Sequence, residues 1–255
     1  MLRFCCLGSG SEGNAMVVEA GDGLTTTRIL LDNGFNGRQL RLRLARAGLG
    51  IEDLDAIVLT HEHSDHVGGV RALLRQGSLP VYCSAGTARA ASLECSYSEV
   101  VAGEIVAIGA LQLMPFPVAH DAAEPLQYVF GDGDRRLGVL TDIGAPGEEV
   151  FSALAGIDAL LLECNHDVEM LRASAYPAFL KARILGDHGH LSNVQAAALL
   201  QQLDRRRLRL VAAGHLSRRN NEPQLARAAL AAVIGCAGDD VLVADQDDGL
   251  TWQRC

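Results

Sequence analysis

Apolar residues in this chain gather in short runs broken by turns rich in Gly, Asp and Asn, and between some runs the apolar positions take up helical spacing. The runs predict strands near 2 to 7, 16 to 20, 28 to 32 and 56 to 60, with a helix near 36 to 47. A helix from about 67 to 76, a strand at 79 to 84 and a helix near 87 to 94 follow, then strands at Ile105 to Ile108, Leu111 to Val118, Leu126 to Phe130 and Leu137 to Thr141. Gly131-Asp132-Gly133-Asp134 reads as a hairpin turn between the last two, because these residues tolerate positive φ. The second half predicts a strand at 158 to 162, a helix at 193 to 203, a strand at 208 to 213, a helix at 223 to 234 and a closing pair of strands at 241 to 244 and 250 to 253. No short-period repeat, Pro-rich linker or low-complexity segment divides the chain. The expectation is therefore one α+β domain over residues 1–255, two sheets packed face to face with helices outside.

Composition adds limits. With 255 residues, 49% apolar and 21% charged, the chain can bury a large core. No apolar run approaches a membrane span, and Met1-Leu2-Arg3-Phe4-Cys5-Cys6-Leu7 is strand-like rather than a signal peptide, so the expected location is the cytoplasm with no membrane partner. Seven cysteines form no C-x-x-C pair, and their odd number points to reduced core thiols rather than a disulfide framework. Cys164, flanked by Glu163 and His166, reads either as a neighbour of a metal site or as a buried bystander. The net charge of −9 repels nucleic acid as a whole, which leaves polyanion binding to a local basic face. Arg205-Arg206-Arg207 with Arg209, Arg218-Arg219, and Arg172 with Lys181 and Arg183 are the candidates, and the first group reads more readily as a solvated helix face. Oligomeric state is not legible.

The chemistry concentrates in Thr60-His61-Glu62-His63-Ser64-Asp65-His66, directly after the apolar run Asp55-Ala56-Ile57-Val58-Leu59. An H-x-H-x-D-H cluster at a strand exit supplies the ligands of a divalent-metal hydrolase. His61 and His63 project the same way from an extended backbone, while Asp65 and His66 fall at the turn into a helix and face a neighbouring position. The other histidines are 120, 166, 188, 190 and 215, each near a strand end or in a Gly/Asp/Asn loop. His120, His215 and Asp142 all follow predicted strands, where a carboxylate such as Asp142 can bridge two cations.

THEHSDH, His120, the Thr141-Asp142-Ile143-Gly144 carboxylate and His215 resemble successive motifs of the metallo-β-lactamase fold, an αββα sandwich with a dinuclear site at the sheet edge. Gly8-Ser9-Gly10-Ser11-Glu12-Gly13-Asn14, the stretch from Glu163 to Arg172, Gly189-His190-Leu191-Ser192-Asn193 and the stretch from His215 to Asn221 resemble, more narrowly, the YycJ (WalJ, VicX) group, associated with 5′ to 3′ exonuclease activity on double-stranded DNA. That resemblance implies that His61, His63 and His120 bind one metal, that Asp65, His66 and His215 bind a second, and that Asp142 bridges them. The metals would be zinc or manganese. Asp32 matches a supporting carboxylate of the superfamily, a role compatible with a plain turn before Gly34.

A leaving oxygen needs a proton donor. His190 is the candidate, because Ser192 and Gln195 have capping-box spacing just after it and a helix N-terminus favours phosphate. The pattern resembles the Glu and His pair of tRNase Z relatives, with Glu163 orienting His190; Asp65 joins these two as a catalytic residue. Arg219 matches a phosphate-contacting arginine of the same relatives. Ser9 and Asn14 sit in a Gly-rich loop that is no P-loop, and read either as phosphate donors at the site rim or as part of a hairpin turn. His166 with Asp167 reads as support for the site, and His188 has no assigned role. A dinuclear site alone does not select phosphate over the acyl carbon of a lactone, thioester or β-lactam, and a metal-stabilised regulatory protein is a further alternative.

Overall fold

Residues of opposite parity on the first strands face two different cores. Along β1 (Leu2–Gly8), Leu2, Phe4 and Cys6 pack into one apolar cluster, while Cys5 and Leu7 pack into another. The same split recurs on β2 (Ala15–Gly21) and β3 (Thr26–Leu31), where Val18 and Ile29 face the first cluster and Val17 and Leu30 the second. A sheet buried on both faces explains why these strands read as nearly continuous apolar runs. The computed structural model describes Met1–Cys255 apart from Asp22, Gln76 and the side chain of Asp239.

The first half continues with α1 (Gly37–Arg46), β4 (Ala56–Val58), α2 (Ser64–Val67), α3 (Val70–Leu74), β5 (Val81–Cys83), α4 (Ala85–Ala90) and β6 (Ser98–Glu99). Then come β7 (Val106–Ile108), β8 (Leu111–Pro117), β9 (Leu126–Gly131), β10 (Arg136–Leu140), α5 (Glu148–Ala153), β11 (Ala159–Glu163), α6 (Val168–Ala173), α7 (Ala178–Leu185) and α8 (Asn193–Gln202). The chain closes with β12 (Leu210–Gly214), α9 (Pro223–Ile234), β13 (Leu242–Val243) and β14 (Leu250–Arg254).

Two seven-stranded sheets result, in the orders β14-β1-β2-β3-β4-β5-β6 and β13-β12-β11-β10-β9-β8-β7. Phe4, Val18 and Ile29 of one meet Leu113, Phe130 and Leu161 of the other in the central core. Leu40 and Leu44 of α1 cover the outer face of the first sheet, and Leu199, Leu200 and Leu230 of α8 and α9 cover that of the second. This is the αββα sandwich. Tyr128, fully buried, donates its hydroxyl to Leu59 O at 2.8 Å and so ties β9 to the backbone just before Thr60.

In each sheet an antiparallel half gives way to a parallel half: β3, β4, β5 and β6 run together, as do β10, β11, β12 and β13. Parallel strands end on a common edge, which is where such sheets gather functional residues.

Three expectations change. The helix expected over 67–76, whose last residue lies outside the described residues, is two short helices, α2 and α3, split at Gly68 and Gly69. A Cβ on Gly69 would fall 1.8 Å from Phe35 O, so the chain is squeezed there against the loop that follows β3. The helix expected near 87 to 94 begins at Ala85 under a Ser84 cap and ends at Ala90. The closing strands are not partners: β13 pairs with β12 in the second sheet, and β14 crosses to β1 in the first.

Candidate metal centre

Asp32 follows β3, Thr60 and His61 follow β4, His120 follows β8, Asp142 follows β10, Glu163 ends β11 and His215 follows β12, all at one edge of the sandwich. The parallel register Glu163↔Gly214 sets Glu163 beside His215. Among the described residues only four non-glycine residues have positive φ, and three are here: Asp32 at 58°, Asp142 at 53° and His215 at 55°. Each turns its side chain inward straight off a strand, at a strain of roughly 1–3 kcal/mol. Asp65 and His66 lie in the first turn of α2, brought close because Gly34 passes the Asp65 carbonyl where a Cβ would sit 1.9 Å away.

Every imidazole of the cluster is held from behind. Asp32 accepts from Thr60 N at 2.9 Å, from the Thr60 hydroxyl at 2.8 Å and from His66 Nδ1 at 2.8 Å. With its proton given to Asp32, the Thr60 hydroxyl accepts from His61 Nδ1 at 2.9 Å. His63 Nε2 donates to Asp121 O at 3.2 Å, His120 Nδ1 to Gly189 O at 3.2 Å, and His215 Nδ1 to Glu163 Oε1 at 3.2 Å. These bonds assign one nitrogen of each ring and leave the other facing inward, the arrangement found behind metal ligands.

The inward atoms converge. His61, His63 and His120 offer ligand atoms within 4.8 Å of one another, and so do Asp65, His66 and His215. Asp142 lies between the two groups, 3.2 Å from His66 Nε2, 3.4 Å from His215 Nε2 and 4.0 Å from His120 Nε2. His61 Nε2, His215 Nε2 and Asp142 Oδ2 are buried without any hydrogen-bond partner. Unpartnered buried lone pairs beside buried carboxylates are costly in a protein interior, and a cation satisfies both at once. The residues therefore fit divalent metal, and the two groups around one carboxylate are consistent with a dinuclear site.

Electrostatics divide the rings. Burial pushes His61 well below 6.5 and lowers His120, which keeps both nitrogens available. Burial also opposes charge on His66 and His215, but Asp142 and Asp32 raise the first well above 6.5, and Asp142, Asp65 and Glu163 raise the second to about 10. Buried Glu163 would be raised by desolvation, yet the neighbouring His190 holds it at about 2. Glu163 in turn lifts His190 against its own burial.

His190 Nδ1 donates to Glu163 Oε1 at 2.8 Å, while Glu163 Oε2 accepts from Ile143 N at 3.1 Å and Leu191 N at 3.0 Å. The carboxylate is thus pinned on both oxygens. Asp142, Glu163, His190 and His215 also form a further group with metal-ligand spacing. The Ser192 and Gln195 capping box is present at the start of α8.

Ser9 and Asn14 are not on the rim. Both are buried; the Ser9 hydroxyl accepts from His215 N at 2.8 Å, and Asn14 bonds to Gly10 and lies 3.1 Å from His66 Nε2. The expected phosphate donors are inward-facing supports. Arg219 is exposed and pairs with no acid among the described residues, whereas Arg183 pairs with Asp121, Arg172 with Glu169 and Arg218 with Asp247. Arg205–Arg209 lies at the start of β12, opposite its site end, with Arg206 on Asp204 and Arg207 on Asp158. Asp167 caps α6 through Met170 N, His166 is wholly buried with both ring nitrogens unpartnered, and His188 is exposed. Cys164 is a core thiol. The holders missed in the sequence, Asp121 and Gly189, act through backbone carbonyls, which side-chain identity does not reveal. A groove of about 600 Å³ beside α1, lined by Ala45, Leu49, Leu54 and Leu73, contains none of these residues.

Among solved structures, the fold resembles the metallo-beta-lactamase fold protein YhfI from Bacillus subtilis, with a TM-score of 0.75 and 16% identity over 99% of this chain and 98% of that one. Exodeoxyribonuclease YycJ of Bacillus anthracis is 35% identical over 91% of this chain and 89% of its own length. Exodeoxyribonuclease WalJ of Streptococcus pneumoniae serotype 2 is 35% identical over 88% of this chain and 85% of its own. Residues 27–211 match the family model described as the beta-lactamase superfamily domain. With that match, this sandwich and a His/Asp cluster fit for metal, the chain belongs to the metallo-β-lactamase superfamily of metal-dependent hydrolases.

Proposed function

We propose that the protein is a dinuclear phosphodiesterase acting as a 5′ to 3′ exonuclease on double-stranded DNA, with His61, His63 and His120 around one cation, Asp65, His66 and His215 around the other, and Asp142 between. Zinc or manganese suits this mixture of imidazole and carboxylate ligands. The two relatives named exodeoxyribonucleases support the substrate class. The observation that carries the reaction type is the Glu163–His190 pair set against the ligand cluster, with His190 Nδ1 only 3.7 Å from Asp142 Oδ1.

When bound, the cations supply Lewis-acid polarisation of phosphate oxygens and a more acidic water. The chain supplies the rest. Glu163 fixes His190 through Nδ1 and favours its charged form, leaving Nε2 to give a proton to the departing sugar oxygen. Asp65, 23% exposed at its side chain, is more open than Asp142 and accepts a hydrogen bond from the attacking water. Arg219, free of acidic partners among the described residues, receives a backbone phosphate near His215.

Duplex DNA labelled at either 5′ or 3′ ends, beside a covalently closed circle, tests this reading. Release of labelled mononucleotide first from 5′ ends, with the circle intact, is expected. Nicking of the circle, or turnover of lactones or β-lactams without DNA degradation, would overturn it.

A further inference from the structure

We propose that the loop at residues 9–14, between β1 and β2, is a positioning bracket for one half of the ligand cluster, with Ser9 holding His215 and Asn14 holding the Asp65 end of α2. His215 has a left-handed backbone at φ 55°, a conformation uncommon for a residue with a Cβ and adopted at some cost. Its N–H donates to Ser9 Oγ at 2.8 Å and its carbonyl accepts from Asn165 Nδ2 at 3.1 Å, so both backbone polar groups are gripped by side chains from distant segments. Ser9 is itself anchored, its N–H donating to Asp245 O at 3.1 Å.

The far end of the loop holds α2. Asn14 N donates to Asp65 O at 2.8 Å, and Asn14 Nδ2 lies 3.1 Å from His66 Nε2 and 3.4 Å from Asp65 Oδ2. Between the two ends Gln246, from near the end of the described chain, clamps the turn: its Nε2 donates to Gly13 O at 2.7 Å and its Oε1 accepts from Glu12 N at 2.8 Å. A Cβ on Gly10, at φ 151°, would lie 2.5 Å from Gln246 Oε1 and would push that clamp aside. No hydrogen bond of this loop among the described residues reaches His61, His63 or His120. The two halves of the cluster are therefore supported unequally, and the loop sets the cation affinity of the Asp65, His66 and His215 half alone.

This inference rests on the reading that the cluster holds two cations, and its test reads binding rather than activity. The full chain, stripped with chelator, is titrated calorimetrically with manganese chloride, wild type beside Ser9→Ala, and the melting temperature of each stripped protein is recorded. Expected are two binding events in wild type, and in Ser9→Ala one of them weakened about 10- to 100-fold, as for other residues that hold ligands in place. The other event should stay within about twofold and the melting temperature of the stripped protein within a few degrees. Two unchanged affinities, or two that fall together, overturn the bracket. A wild type that takes up fewer than two cations overturns the two-cation reading, and the bracket with it. Should Ser9→Ala not fold, Gln246→Ala releases the loop from its clamp at Glu12 and Gly13, and the same selective loss is expected.

Discussion

Glu163 accepts a hydrogen bond from His190 Nδ1 at 2.8 Å while two backbone N–H groups hold its other oxygen, so the imidazole is fixed in place and its pKa raised beside the ligand cluster. A group so held suits proton donation to a leaving alkoxide. His190→Ala should keep the fold and the metal content but slow the chemical step by roughly two to four orders of magnitude. A phosphodiester with a nitrophenolate leaving group, which needs little protonation, should recover much of that loss. Equal defects on good and poor leaving groups would remove His190 from the role.

Asp142 is buried, flanked by His66 and His215, and leaves one oxygen without a hydrogen bond. If it bridges two cations, Asp142→Ala leaves them repelling one another across fewer ligands. Elemental analysis should show fewer than about one metal per chain. Retention of about two would argue that Asp142 is no bridge.

Much of this was legible because the motifs are local. His61, His63, Asp65 and His66 are contiguous, and Asp142 and His215 each follow an apolar run whose strand character is plain. The strands buried on both faces were found for the same reason. What escaped was non-local or weakly patterned. Edge strands β13 and β14 choose partners by tertiary packing, which a sequence does not encode locally. Helices α5, α6 and α7 are short, and α7 buries no residue, so no periodic stripe announced them. Ser9 and Asn14 read from the sequence as rim donors or as part of a hairpin turn, because nothing local shows that their partners are His215, Asp65 and His66 from other segments.

Of the expected basic rim, Arg172 and Arg183 pair with acids, Lys181 donates its ammonium protons to the carbonyls of Arg172 and Ser174, and exposed Arg219 has no acidic partner among the described residues. Arg219→Ala should weaken DNA binding similarly across sequences and lower the slope of log affinity against log salt by about one unit. Metal content should not change. A salt slope identical to wild type would place the phosphate contact elsewhere.

Asp158, 1% exposed, accepts from Arg136 N at 2.9 Å, Arg135 Nη1 at 2.9 Å and Arg207 Nη2 at 3.1 Å. Burial alone would raise its pKa, but the Arg136 N–H, Arg135 and Arg207 together bring it below the usual carboxylate value. A carboxyl depressed in the folded state contributes stability above its unfolded pKa of about 3.9 and loses it as pH falls through the folded value. Asp158→Asn should therefore be less stable by about 1–3 kcal/mol at pH ~7, with the deficit shrinking below pH ~4. Urea unfolding at both pH values measures it, and a deficit independent of pH would contradict the assignment.

The proposed activity is that of the His/Asp cluster, filled with two divalent cations, breaking phosphodiester bonds in DNA. Its most direct test titrates chelator-stripped protein with manganese or zinc while degradation of end-labelled duplex DNA and bound metal per chain are measured together. No degradation without metal is expected, and full activity only as occupancy nears two per chain. Degradation that persists in excess chelator, or a chain holding two metals that leaves DNA intact, would contradict it.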